Sequence, residues 1–312
     1  MKNPFPYSDD NKRYLTWNYY GKSTYGKKLY KVPVDAGFSC PNRDGLLSKS
    51  GCVFCYQGSN GFPQISGTDL MKQYLQRKQI FDNKWPDGVP MVYFQSYSNT
   101  YGPIEKMIEA YQPFIDDENV KGLVIATRSD CLDDEKIAYL QSLTSIKPIW
   151  VELGLQSIHD QTLKEMNRGH DYQSFCDCVE KLAKTDIKIS VHLINGWPTE
   201  NKEMMIQTAK EVGKMDIDAV KFHMLHVCKD TVLGNNYLQK PFELLTKEQY
   251  VEIVAEQLTY LREDIIIERL TGDALKEVLI EPQWTLKKVS VINDIDKKMA
   301  EMDYWQGKNY EK

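Results

Sequence analysis

Three of the seven cysteines in this chain lie within sixteen residues of one another. Cys52 and Cys55 form a C-x-x-C pair, and eleven residues separate Cys40 from Cys52. Thiolates suit zinc ions and iron–sulfur clusters, and both kinds of site normally take four protein ligands. A four-iron cube held by three cysteines would leave one iron open to an outside ligand. The spacing alone leaves three possibilities: such a cube, a zinc site completed by a distant ligand, and unligated thiols.

The bulk composition is that of a globular protein, because 42% of its 312 residues are hydrophobic and 27% are charged. No apolar run approaches the roughly 18 residues that are needed to span a bilayer. The N-terminus lacks the apolar core of a signal peptide. We therefore expect a cytoplasmic protein without a membrane segment, whose cysteines are thiols or metal ligands.

The N-terminal segment is both basic and aromatic. Residues 11–31 contain six basic and no acidic residues, interleaved with six aromatic ones. Such a segment could pair with phosphates and stack on bases. The alternative is that the aromatic side chains pack as an N-terminal wrap while the lysines stay solvated. The net charge of −5 does not indicate a constitutive nucleic-acid binder.

Short apolar runs alternate with amphipathic stretches along the rest of the chain, which predicts an α/β fold with a parallel sheet, a full or partial (β/α) TIM-like barrel. In such a barrel, functional groups gather at the C-terminal ends of the strands. The predicted organisation is an N-terminal extension (1–30), a core (31–272) with a cysteine loop (35–61), and a C-terminal extension (273–312) that ends in a helix anchored by Trp284 and Trp305. The predicted strands are Leu29–Val34, Met91–Tyr97, Gly122–Thr127, Pro148–Gln156, Ile187–Asn195, Ala219–Val227 and Ile265–Leu270. The predicted helices are Pro103–Phe114, Asp133–Leu143, Tyr172–Ala183, Lys202–Met215 and Thr246–Leu261.

The cysteine segment with a barrel behind it resembles the radical S-adenosylmethionine (SAM) superfamily. Nearly the whole chain is similar to the Elongator-like bacterial group of that superfamily, the YtqA/YhcC type. The motifs that carry the resemblance are VDAGFSCPNRDG, GCVFC, IATRSDCL, VELGLQS, NRGHDY, KFHMLHVCKDT, ERLTGDA, EPQW and YWQGK.

The resemblance implies a role for each matching residue. Cys40, Cys52 and Cys55 would hold a [4Fe–4S] cluster whose open iron binds SAM. Two segments depart from the pattern: FQSYSNTY stands where the superfamily usually has Gly-Gly-Glu, and NGWPTE, with Trp197, stands where relatives have GLPGE. The implied SAM-binding residues are Phe54 and Ile194 at the adenine, Gln95, Tyr97 and Asn99 at the methionyl amine, Gln156 at the ribose and Arg168 at the carboxylate.

Lys221 and His223 are the candidate catalytic residues on the substrate side. They are two residues apart on a strand and so share a face, which we expect to point into the barrel lumen. His192 has the same ambiguity between substrate contact and a packed core histidine.

The resemblance also implies an activity. The enzyme would reductively cleave SAM to a 5′-deoxyadenosyl radical, with electrons from a donor such as flavodoxin or ferredoxin, to modify the side chain of a wobble uridine in tRNA. Too few residues follow the core to build the acetyltransferase domain of Elongator-type proteins. Two alternatives remain open: a radical SAM enzyme that acts on a small metabolite, and a zinc-stabilised nucleic-acid-binding protein without catalysis.

Overall fold

The computed structural model describes residues 5–56 and 69–311. Its main sheet has seven parallel strands, each hydrogen-bonded to the next in chain order, and β1 and β8 form its two edges in the described part of the chain. The sheet curls into a half-barrel, so the partial form of the predicted (β/α) barrel is confirmed. The strands are β1 (Leu29–Val34), β2 (Val89–Phe94), β3 (Leu123–Thr127), β4 (Ile149–Gln156), β5 (Lys188–Asn195), β6 (Ala219–Met224) and β8 (Ile266–Arg269).

Helices follow the strands and cover the outer face of the sheet. All five predicted helices are present within a few residues, and several begin at a residue whose side chain accepts a hydrogen bond from the first turn, as Asp133, Asp171, Asn201 and Thr246 do. Four further helices, α1, α2, α5 and α8, were not predicted. The helices are α1 (Trp17–Tyr25), α2 (Leu70–Lys84), α3 (Ile104–Asp116), α4 (Asp134–Thr144), α5 (Asp160–Glu165), α6 (Tyr172–Leu182), α7 (Lys202–Lys214), α8 (Val232–Gln239), α9 (Lys247–Leu258) and α10 (Lys288–Glu301).

One predicted strand, Ala219–Val227, is two separate strands. β6 ends at Met224, and the chain then turns away from the main sheet. β7 (Val227–Cys228) pairs antiparallel with β9 (Leu279–Glu281) instead. The apolar run continues through the turn, so composition alone could not mark the end of β6.

An apolar layer closes the half-barrel near the N-terminal ends of its strands. Trp150 of β4 is fully buried there. The α1 residues Trp17 and Tyr20 pack against it, with ring centroids 5.2 and 5.8 Å away. These N-terminal aromatic rings therefore serve packing, which was the alternative to base stacking.

The C-terminal tail packs against the core and against the N-terminal segment. It contains the predicted helix, α10, which packs on α9. The indole of Trp284 donates to the carbonyl of Leu245, 3.0 Å away, and Trp305 is half-buried. No described helix is long and apolar enough to cross a membrane. The predicted domain boundaries stay predictions.

Candidate active site

A cavity of about 330 Å³ lies between the cysteine loop and the inner face of the sheet. Its walls come from the C-terminal parts of the strands and from the loop, as expected for a barrel enzyme. Eleven of the twelve predicted site residues line it: Cys40, Cys52, Phe54, Cys55, Gln95, Tyr97, Gln156, Arg168, Ile194, Lys221 and His223.

Asn99 is the predicted residue that does not line the cavity. It is 1% exposed, and its amide nitrogen donates to the carbonyls of Phe94, Ser96 and Ala126 at 2.9 to 3.1 Å. These bonds fix the turn after β2. The structure thus gives Asn99 a structural position behind the cavity wall.

The cysteine loop is held by backbone hydrogen bonds from other elements. Residues 57–61 of the predicted loop lie outside the described residues. The Val53 N–H donates to the Met166 carbonyl at 3.0 Å, and the Leu233 N–H at the start of α8 donates to the Val53 carbonyl at 2.8 Å. The Asn167 side chain donates to the Gly51 carbonyl at 2.8 Å. The loop between Cys40 and Cys55 is therefore fixed on both sides.

The three cysteines have the placement expected of ligands to a cluster. Cys40 and Cys52 are buried, Cys55 is half-buried, and none of the three forms a disulfide. Within residues 5–56 and 69–311, no three His, Cys, Asp or Glu side chains are grouped so that they could hold one metal ion. In a [4Fe–4S] cube each cysteine binds a different iron. Three thiolates that line one cavity fit a cube with one open iron, whereas a closed zinc site would need a fourth ligand.

The charges around Cys52 favour its thiolate form. Arg168 Nη1 lies 3.3 Å from Cys52 Sγ, and Asn42 Nδ2 lies 3.5 Å from it. Burial raises the pKa of the Cys52 thiol, but Arg168, Arg128 and the Asn42 amide outweigh it, so the pKa is lowered overall. The thiolate is the form that binds a metal. The donor set and its electrostatics thus fit an iron–sulfur cluster.

The end of β4 is strained where Gln156 enters the cavity. Gln156 has a φ of +78°, which a non-glycine residue rarely adopts. A Cβ on Gly154 would lie 2.7 Å from Gln156 Nε2 and 3.1 Å from Arg168 Nη2, so a larger residue there would displace these two side chains. Strain of this kind is typical of functional sites.

The apolar part of the cavity wall is formed by Phe54 and Ile194. Both pack against a buried cluster that contains Met166, Trp197 and Leu233. Trp197 does not line the cavity; it is 5% exposed, and its indole donates to a carboxylate oxygen of Glu165 at 2.9 Å. Trp197 therefore supports the wall from behind.

A buried network of charges forms the floor of the cavity around Glu152. Its Oε1 accepts from Lys221 Nζ at 2.5 Å and Lys31 Nζ at 2.7 Å. Its Oε2 accepts from the Tyr93 hydroxyl at 2.6 Å and His192 Nε2 at 2.9 Å. The Glu152 side chain is fully buried, and burial is tolerated because every carboxylate oxygen is paired. Glu268 also pairs with Lys31 and lies 3.6 Å from Lys221.

The two candidate catalytic residues both face the lumen, but they differ in their partners. Lys221 interacts with Glu152 and Glu268. Burial lowers the pKa of Lys221 to about 8, although the charges of these two carboxylates act to raise it. His223 lies beside His192, with ring centroids 5.2 Å apart. Its Nε2 is buried and has no hydrogen-bond partner among the described residues, and burial lowers the His223 pKa well below its usual value.

Glu152 and Tyr93 are site residues that the sequence reasoning did not assign, and His192 was left open between substrate contact and core packing. A signal for Glu152 was available, because side chains on a strand alternate between faces. Gln156 was predicted at the ribose of SAM, and Gly154 and Glu152 precede it at steps of two. The same count from His223 through Lys221 shows that β6 presents two polar residues to the lumen.

Comparisons with known proteins identify the family of this chain. The sequence model of the Radical SAM superfamily matches residues 40–212, and that of the Radical_SAM C-terminal domain matches residues 217–301. The chain is 39% identical to the uncharacterized protein YtqA of Bacillus subtilis (strain 168), over 100% of this chain and 97% of YtqA.

Two more distant relatives are archaeal. A tRNA uridine(34) acetyltransferase of Methanocaldococcus infernus is 26% identical over 51% of this chain and 30% of that protein. The solved structure of Elp3 from the same species, with an N-terminal deletion, superposes with a TM-score of 0.65 and 17% identity, over 89% of this chain and 64% of that chain. This second likeness shows the fold. On the family match and the YtqA alignment, the chain belongs to the radical SAM superfamily, in its Elongator-like group.

Proposed function

We propose that this protein is a radical SAM enzyme that modifies the side chain of a wobble uridine in tRNA. The observation that supports it best is that one and the same cavity is lined by the three cysteines, by Gln156 and Arg168, and by the polar residues of the lumen. Such a cavity joins a site for a cluster to a space where a substrate group could enter.

The residues that line the cavity have different roles in this proposal. Cys40, Cys52 and Cys55 would hold a [4Fe–4S] cluster, and Arg168, with its planar set of donors, suits a carboxylate group. When bound and reduced by a donor such as flavodoxin or ferredoxin, the cluster and SAM supply a 5′-deoxyadenosyl radical that abstracts hydrogen. The protein's part is to position the reactants and to exclude water, which a walled lumen does.

The tRNA part of the proposal rests on the relatives. The archaeal protein that matches half of this chain is named for tRNA uridine 34, the wobble position. A role on tRNA also implies a cytoplasmic location. A radical reaction on a small metabolite is the competing function, and the same experiment distinguishes the two.

The experiment is to delete the gene in its source organism and to measure tRNA nucleosides by mass spectrometry. We expect an incompletely modified wobble uridine to accumulate in the deletion strain. The wild-type gene should restore the profile, and a Cys52→Ala gene should not, because the cluster would be lost. Cys176→Ala is the matched control, since Cys176 lies on α6 and does not line the cavity.

An unchanged nucleoside profile would reject the tRNA substrate. If the purified protein still cleaved SAM, the result would favour a small metabolite instead.

A further inference from the structure

We propose that His192 accepts a proton from the substrate in the lumen, and that the Glu152 carboxylate holds it in the form that can do so. The inference deepens the proposed function and rests on it for the identity of the substrate. The substrate group it requires is an N–H or O–H placed next to the reacting carbon.

The contact between the two side chains fixes the tautomer of His192. Its Nε2 lies 2.9 Å from Glu152 Oε2. An ionised carboxylate only accepts hydrogen bonds, so Nε2 must carry the proton of the neutral ring. The other nitrogen, Nδ1, then has a free lone pair, and it makes no hydrogen bond with the described residues. His192 lines the cavity, and 19% of its side chain is exposed there.

The carboxylate cannot turn away from His192, because four donors hold it. Tyr93 donates to the same oxygen as His192, and Lys31 and Lys221 donate to the other. The two lysines also keep Glu152 ionised: burial raises the pKa of its carboxyl, but Lys221 and Lys31 outweigh this and bring the pKa well below its usual value. A carboxylate that orients a histidine is the arrangement found behind many general bases.

The surroundings of His192 keep its ring neutral and ready to accept a proton. Burial and the charge of Lys221 lower its pKa more than Glu152 raises it. The ring is thus free of a second proton at neutral pH and is protonated only in more acidic solution. The titratable groups around it are Lys31 on β1, Tyr93 on β2, Glu152 on β4, Lys221 and His223 on β6, and Glu268 and Arg269 on β8.

The proton transfer is balanced without any further reactant. The N–H or O–H bond of the substrate breaks, its electron pair stays on the substrate atom, and the proton forms a bond to His192 Nδ1. The positive charge that appears on the imidazole is offset by Glu152, 2.9 Å away. No electron is transferred in this step.

The first test is nuclear magnetic resonance of the reconstituted protein with ¹⁵N-labelled histidine. The chain has five histidines, so each signal can be assigned by single substitutions. We expect His192 to be the Nε2–H tautomer, with a pKa below the usual ~6.5. Glu152→Gln removes the obligatory acceptor, so the Nδ1–H tautomer should become populated. A wild-type His192 in the Nδ1–H form would overturn the proposal.

The second test compares His192→Gln with His159→Gln on tRNA from the deletion strain. Glutamine can still donate to Glu152 but cannot take up a proton. We expect His192→Gln to keep its iron and its formation of 5′-deoxyadenosine, and to lose modified nucleoside by about 100-fold or more, the range for a general base. His159, whose ring bonds the Met204 carbonyl outside the cavity, should tolerate the change.

The pH profile separates a proton acceptor from a structural residue. The wild-type rate should fall as the pH drops through the His192 pKa measured by resonance. His192→Gln with product formation within a few-fold of the wild type would overturn the proposal. A wild-type protein that cleaves SAM but leaves tRNA unchanged would instead reject the tRNA substrate. The tautomer of His192 would then still decide whether Glu152 orients His192 as proposed.

Discussion

Arg168 links the cysteine loop to the end of β4 through its guanidinium group. Nη1 lies 3.3 Å from Cys52 Sγ, and Nη2 donates to the carbonyl of Gly154. The remaining nitrogen, Nε, is buried and has no hydrogen-bond partner among the described residues. An unpaired buried donor is costly, so Arg168 keeps one donor that the described residues do not satisfy. Under the proposed function, its guanidinium group would bind the carboxylate of SAM.

Replacing Arg168 by alanine should weaken SAM binding by about 10- to 100-fold, because a hydrogen bond to a charged group contributes about 1.5–3 kcal/mol. Arg168→Lys should recover only part of the affinity, since an ammonium group lacks the planar set of donors. Equilibrium dialysis of the reconstituted protein measures the change. Arg13→Ala is the control, because Arg13 pairs with Asp303 far from the cavity wall. Wild-type affinity in Arg168→Ala at equal iron content would disprove this role.

At the level of single residues, sequence reasoning found residues that line the cavity where spacing or a motif carried the information. The three cysteines stand out by their spacing, and Gln156 and Arg168 by their motifs. The partners of Glu152 could not be read in this way. Lys31 and Glu152 pair across 121 positions of the chain, and only the folded sheet brings them together. From the sequence alone, the buried carboxylate of Glu152 was therefore not distinguished from the other residues of an apolar strand.

Among the elements, α5, β5 and α8 together support the cysteine loop. α8 contributes the Leu233 N–H that bonds the Val53 carbonyl, and Gly234 follows it in the chain. A Cβ on Gly234 would lie 2.0 Å from the Cys228 carbonyl oxygen, so α8 can approach β7 only with glycine at this position. The close packing of α8 on β7 thus fixes one side of the loop.

Gly234→Ala should displace α8 and loosen the loop, because the added Cβ and the Cys228 carbonyl oxygen are not bonded and cannot lie 2.0 Å apart. We expect a lower unfolding temperature and a reduced iron content after reconstitution, measured by calorimetry and by iron assay. Asn235→Ala, an exposed position on the same helix, should leave both unchanged. If Gly234→Ala kept full stability and full iron, α8 would have no supporting role.

The elements that were predicted correctly have a strong local signal. The strands of the sheet are buried on both faces and so appear as continuous apolar runs. Two of the four helices that were missed lack such a signal: α1 (WNYYGKSTY) is rich in aromatic residues and contains a glycine, and α8 (VLGNNYLQ) contains a glycine and two asparagines. These residues have low helix propensity. Tertiary packing decides their structure, as Trp17 on Trp150 shows.

The whole molecule is closed by its two terminal segments. Thr16 forms a parallel bridge with Ile267, so the N-terminal segment covers the β8 edge of the sheet. Gln306 of the tail is fully buried; it donates to the carbonyls of Arg262 and Ile265 and accepts from the Leu15 N–H at 2.8 Å. A covered edge cannot pair with another chain. Gln306, which the sequence reasoning did not single out, thus anchors the tail more deeply than Trp305.

Under the proposed function, the three-cysteine cavity holds a radical SAM centre. Anaerobic reconstitution with iron and sulfide, followed by reduction in the presence of SAM, tests it most directly. The wild type should bind about four irons per chain and form 5′-deoxyadenosine and methionine. Alanine at Cys40, Cys52 or Cys55 should abolish both, and Cys176→Ala should not. A colourless protein that binds one zinc ion and leaves SAM intact would contradict the account.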